Sequence, residues 1–111
     1  MIHLVESFHF ISEQTIFKVL PNDTSVQEGG DFYLLCGAIQ DKRLQLHYRW
    51  QKDGVTLTSN ERHIISFDRK VSKLRVLKAG LSDAGVYECV ASTQPHKFEI
   101  KAIATVKIKG L

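Results

Sequence analysis

Hydrophobic positions along this chain recur with a period of two, the signature of strands with one buried face. Phe32, Leu34, Cys36 and Ala38 fall on one side of a segment that begins after the turn sequence Glu28-Gly29-Gly30. Leu44, Leu46, Tyr48 and Trp50 share a side in the next segment, with Gln45, His47, Arg49 and Gln51 opposite. Asp53-Gly54 is a strong two-residue hairpin signal, and Val55 and Leu57 start a short return strand. Ile64, Ile65 and Phe67 mark another extended run, closed by Asp68-Arg69-Lys70. Leu74 and Val76 then sit two apart, with Lys73 and Arg75 pointing the other way. Residues 86–91 give a further strand. The last alternates through Phe98, Ile100, Ala102, Ala104, Val106 and Ile108. Ile103 interrupts that alternation, which predicts a bulge or a contact between sheets.

Pro21 lies between two strand-like runs, Ile16 to Leu20 and Thr24 to Val26. Proline has no amide donor and interrupts a ladder. The expectation is a first strand broken at Pro21, leaving one sheet and joining the other. Seven or eight short strands separated by turn signals, with no helical periodicity over any ten residues, predict an all-β antiparallel sandwich or barrel.

Composition narrows the function classes. The length of 111 residues fits one domain with one modest core. The formal charge of +3 is far from the dense Lys/Arg footprint of a nucleic-acid binder, so no nucleic-acid partner is expected. No stretch approaches eighteen apolar residues, so no membrane insertion is expected either. The first residues, MIHLVESFHFISEQ, lack the basic start and continuous apolar core of a signal peptide. The chain therefore reads as a piece of a longer secreted protein, or else as cytosolic.

Five histidines occur (His3, His9, His47, His63 and His96), none paired at ligand spacing with a third ligand nearby. Neither a metal nor another cofactor is expected, and no nucleophile–base pattern suggests an enzyme. The two cysteines, Cys36 and Cys89, lie 53 positions apart (89 − 36 = 53). They allow one disulfide, which would contribute roughly 4 kcal/mol through loop closure and would persist in an oxidising compartment.

Two stretches carry a family resemblance. The segment Leu74-Arg75-Val76, followed by Leu81-Ser82-Asp83-Ala84-Gly85-Val86-Tyr87-Glu88-Cys89, resembles the immunoglobulin superfamily where its fifth strand runs into its sixth. Cys36 resembles the second-strand cysteine, and Trp50, 14 positions later (50 − 36 = 14), resembles the buried third-strand tryptophan. The resemblance implies an immunoglobulin-like antiparallel β-sandwich with one inter-sheet disulfide, Cys36–Cys89. It also implies a core that includes Trp50, Tyr87, Leu34, Leu74 and Val76. Tyr87, two residues before Cys89, would form the tyrosine corner, and Gly85 would allow a tight turn ahead of the strand. Asp83 would pair with a basic residue near the fourth strand, for which Arg62 is the candidate. The short cysteine separation and the Pro21 break point to the intermediate set. The domain is expected over 16–109, with 1–15 as linker, the end of a preceding domain or appended sequence, and 110–111 as a tail.

The function implied is protein–protein recognition, or spacing of neighbouring immunoglobulin-like domains, in an extracellular receptor or adhesion protein. The alternative is an intracellular module of a giant muscle or cytoskeletal protein. Asn22-Asp23-Thr24 is a sequon, so Asn22 is a candidate glycosylation site. The candidate partner surface comprises His47, Arg49 and Gln51 on a sheet face, with Gln94 and His96 in the loop before the last strand. Two basic groups are a weak heparan sulfate signal: Lys70, Lys73, Arg75 and Lys78, and then Lys97, Lys101, Lys107 and Lys109. The plainer reading of both is edge-strand protection against aggregation.

Overall fold

The structure, a computed structural model, describes residues 15–39, 45–94 and 98–111. The break at Pro21 organises it. β1 (Ile16–Val19) and β2 (Thr24–Gln27) flank the proline. β1 pairs antiparallel with β3 (Phe32–Ile39), whereas β2 runs parallel to the last strand in the opposite sheet. The first strand thus changes sheets where its amide is missing, as the sequence predicts.

Between them the chain forms β4 (Gln45–Lys52), β5 (Val55–Thr56), β6 (His63–Asp68), β7 (Val71–Val76), a 3-10 turn at Leu81–Asp83, β8 (Gly85–Gln94) and β9 (Glu99–Lys109). The four-stranded sheet has the order β1-β3-β7-β6 and the five-stranded sheet β2-β9-β8-β4-β5. Two hairpins close on left-handed pairs. Asp53 and Gly54 have φ of 48° and 86°, and Arg69 and Lys70 have 52° and 65°, the backbone of the tight primed turn.

Two expectations change. No bulge occurs at Ile103: β8 and β9 keep one register from Gly85↔Val106 to Ser92↔Glu99. Ile103 lies opposite Glu88 on the outer face and is 62% exposed. In addition, β7 lies between β3 and β6, so Lys73 and Arg75 are not edge lysine and arginine, and edge protection does not explain them. Instead, the Lys73 ammonium sits 4.8 Å from the centre of the Tyr33 ring.

The inward positions close the core between the sheets. The Cys36–Cys89 disulfide crosses it, with Leu34, Trp50, Leu74, Val76, Tyr87 and Val106 buried around the bond. The Trp50 indole N–H donates to the Ser72 hydroxyl at 2.9 Å, so the one polar atom of the central ring is satisfied inside the core. The Tyr48 hydroxyl also ties the two sheets together. It accepts the Ala38 N–H at 2.7 Å and donates to the Lys70 carbonyl at 2.8 Å. Burial raises its pKa, only partly offset by the Ala38 bond.

Ahead of β8 a compact polar clasp holds the chain. The Asp83 carboxylate takes two bonds from the Arg62 guanidinium, at 2.9 and 3.2 Å, and one from the Gly80 N–H at 2.8 Å. Burial would raise the Asp83 pKa, but Arg62 and the Gly80 N–H outweigh it and hold the carboxyl below its usual range. The Tyr87 hydroxyl donates to the Asp83 carbonyl at 2.6 Å, closing the tyrosine corner. Desolvation, with Asp83 nearby, raises the phenol's pKa strongly. At Gly85, φ is 152° and an added Cβ would lie 2.6 Å from the Asp53 carboxylate. That carboxylate caps the Val86 N–H at 3.0 Å, so the close approach requires glycine.

Candidate functional site

With the inner faces consumed by the core, the chemistry free to meet a partner lies outside. The period of two and the register between strands decide which side chains gather there. Trp50, Cys89 and Ala102 face inward in one row, so their neighbours face out. On the five-stranded sheet this gives three successive cross-strand rows: His47, Ser92 and Glu99; Arg49, Val90 and Lys101; Gln51, Glu88 and Ile103. Gln45 faces Gln94 at one end.

His47, Arg49, Gln51 and Gln94 therefore come together on one face. His96, like Lys97, lies outside the described residues. Sequence reasoning missed the partners contributed by β8 and β9. Arg49 Nη1 reaches Glu99 Oε2 at 3.2 Å, across a separation of 50 residues. Val90, fully buried although it points outward, lies opposite Arg49 in the middle row. The only advance signal was a valine at an outward position of an alternating strand.

The face is mixed in charge and mostly polar, with Ile103 as its most exposed apolar side chain among the described residues. Both ends of the Arg49–Glu99 pair are partly exposed, so the pair contributes little to stability. Its exposed side chains are mainly hydrogen-bonding ones, and the apolar residue of the middle row, Val90, is covered by its neighbours. Among the described residues no group of three or more His, Cys, Asp or Glu could hold a metal ion, and no helix is long and apolar enough to cross a membrane.

The other sequence-marked residues fall elsewhere. Lys73 and Arg75 share the outer face of the four-stranded sheet, while Lys70 and Lys78 stand at opposite ends of β7, both at positive φ. Lys101, Lys107 and Lys109 point outward along β9, interrupted by Ile103 and Thr105. Asn22 is exposed in the crossing between β1 and β2, where the Thr24 hydroxyl donates to its carbonyl at 2.8 Å.

Comparison with known proteins agrees with this architecture. The immunoglobulin I-set domain model matches residues 15–108. Mouse sidekick-2 is 36% identical over 69 residues, covering 62% of this chain and 3% of that protein. Human hemicentin-1 is 30% identical over 115 residues, covering 95% of this chain and 2% of its own length. The chain thus spans a few per cent of the curated relatives it matches. Among solved structures, one chain of a complex of titin M10 with an obscurin-like 1 immunoglobulin domain superposes with a TM-score of 0.77 at 26% identity, covering 88% of this chain and 96% of that one.

Proposed function

This chain belongs to the immunoglobulin I-set family, a non-enzymatic fold family whose domains mediate protein–protein contact or spacing, and from that premise we propose that it serves outside the cell. In this reading it is one recognition and spacing module of a longer receptor or adhesion protein. The outer face of the five-stranded sheet, with His47, Arg49, Gln51 and Gln94, is its contact surface.

The observation that carries the compartment is the Cys36–Cys89 disulfide, which leaves no free thiol in the chain. Such a bond persists in oxidising surroundings. The exposed Asn22 sequon supports the same reading, since a glycan there would stand in solvent and disturb no packing. The test is a thiol count on protein taken from its native tissue, alkylated before reduction. No reactive thiol is expected, and two would overturn the extracellular assignment. Secreted material from animal cells should also lose mass on glycosidase treatment.

A second reading, an intracellular muscle or cytoskeletal module, draws on the similarity to a chain of the titin M10–obscurin-like 1 complex and to mouse cardiac myosin-binding protein C, which is 31% identical over 62 residues. Two free thiols in the native protein would favour it. Heparan sulfate remains the weaker partner. The basic side chains divide between two sheets, and binding to heparin would have to survive physiological salt.

A further inference from the structure

The crossing at Pro21 leaves part of each sheet edge without a paired strand among the described residues. β2 runs beside β9 only from Val106 to Lys109. Upstream, β9 has β8 on one side and, among the described residues, no strand on the other. Hydrogen bonds at the two ends show which groups face that open side. The Thr105 N–H donates to Asp23 Oδ1 at 2.8 Å, and the Lys109 carbonyl accepts the Glu28 N–H at 2.7 Å, both away from β8. The Phe98 carbonyl, of the opposite parity, accepts the Thr93 N–H of β8 at 3.0 Å. Alternation therefore turns the N–H and C=O groups of Glu99, Lys101 and Ile103 to the open side. No proline or bulge blunts this stretch.

An edge like this accepts another strand, and the side chains decide which. When two copies pair antiparallel about a twofold axis normal to the sheet, odd positions meet odd positions, so the available registers differ in steps of two. A pairing centred on Lys101 sets that lysine against its own copy, a repulsive pair. One centred on Ala102 needs the Thr105 N–H opposite Glu99, and Asp23 already holds that N–H. One centred on Ile100 places Glu99, whose carboxylate also reaches Arg49 of its own chain at 3.2 Å, opposite Lys101 of the second copy, and Lys101 opposite its Glu99. It also sets Ile100 against Ile100 and Phe98 against Ala102 on the other face.

We propose that this free half of β9 pairs with the same segment of a second copy, antiparallel and centred on Ile100. The two copies then share one continuous sheet joined by backbone hydrogen bonds and two Glu99–Lys101 ion pairs. The inference goes beyond the recognition face: it engages backbone groups at an edge and names the partner. The overlap is short, so association is weak and shows at high protein concentration.

Sedimentation equilibrium tests it with charge reversals. The unaltered chain should dimerise reversibly. Glu99→Lys and Lys101→Glu, each of which opposes like charges twice, should each raise the dissociation constant at least about tenfold. A mixture of the two variants, and the doubly reversed chain, should both recover dimerisation. Circular dichroism of each variant checks that it stays folded, as expected for an exposed pair. An unaltered chain still monomeric at about 1 mM, or a mixture that stays monomeric, overturns the proposal. Tighter association of Lys101→Ala also overturns it, because Lys101 would then act only as an edge guard. Gln51→Ala should leave dimerisation unchanged, which separates this edge from the recognition face.

Discussion

The two faces of β8 show opposite designs on one strand. Inward, Tyr87 and Cys89 are fully buried, and each has one specified partner: the Asp83 carbonyl and Cys36. Outward, Glu88 and Ser92 are partly exposed on either side of a covered Val90, and the ion pair that crosses this face joins β4 to β9 in partial solvent. Burial makes the difference. In a low-dielectric interior an unpaired polar group is costly, so the Tyr87 hydroxyl and the Trp50 indole N–H have fixed partners, whereas water replaces a lost partner on the face. The inner face therefore specifies the fold, and the outer face can vary at little cost to it.

The largest expected effect comes from the disulfide. Replacing both cysteines with alanine should cost about 2–5 kcal/mol in urea unfolding. A loss under about 1 kcal/mol would mean that the core stands without its bridge. The clasp at Asp83 comes next. Asp83→Ala leaves the Gly80 N–H without its acceptor and Arg62 with only its carbonyl bonds, and should cost about 2–3 kcal/mol. The same carboxyl sets a pH response. Its folded-state pKa is held below the ordinary 3.8, so its contribution is complete above that value. It is lost as pH falls through the depressed folded value, and Asp83→Asn should flatten this part of an acid unfolding curve. Ser72→Ala leaves the buried indole N–H of Trp50 without an acceptor and should cost about 1–3 kcal/mol. The smallest effect belongs to the outer face: Gln51→Ala or His47→Ala should stay within about 0.5 kcal/mol of the unaltered chain.

The contrast between the faces also explains what the sequence revealed. Cys36, Trp50 and Cys89 carry their roles in spacing, and Pro21 and Asp53-Gly54 carry theirs in backbone chemistry. Each of these signals is local or bound to a motif. Arg49 with Glu99, Trp50 with Ser72, and Tyr48 with Ala38 and Lys70 join strands far apart in the chain. Such pairs depend on register and sheet order, which alternation alone does not supply. Ile103 misled for the same reason. An apolar residue at an outward position looks like a bulge until the unbroken β8–β9 register shows it to be exposed. The basic residues of β7 looked like edge protection until the sheet order placed that strand inside.

The most direct test of this division of labour is urea unfolding of one variant carrying alanine at His47, Arg49, Gln51 and Gln94. The account predicts an unchanged m-value and a stability within about 1–2 kcal/mol of the unaltered chain, the sum of four small surface effects. A loss as large as that from removing the disulfide would contradict it, because the outer face would then be holding the fold together.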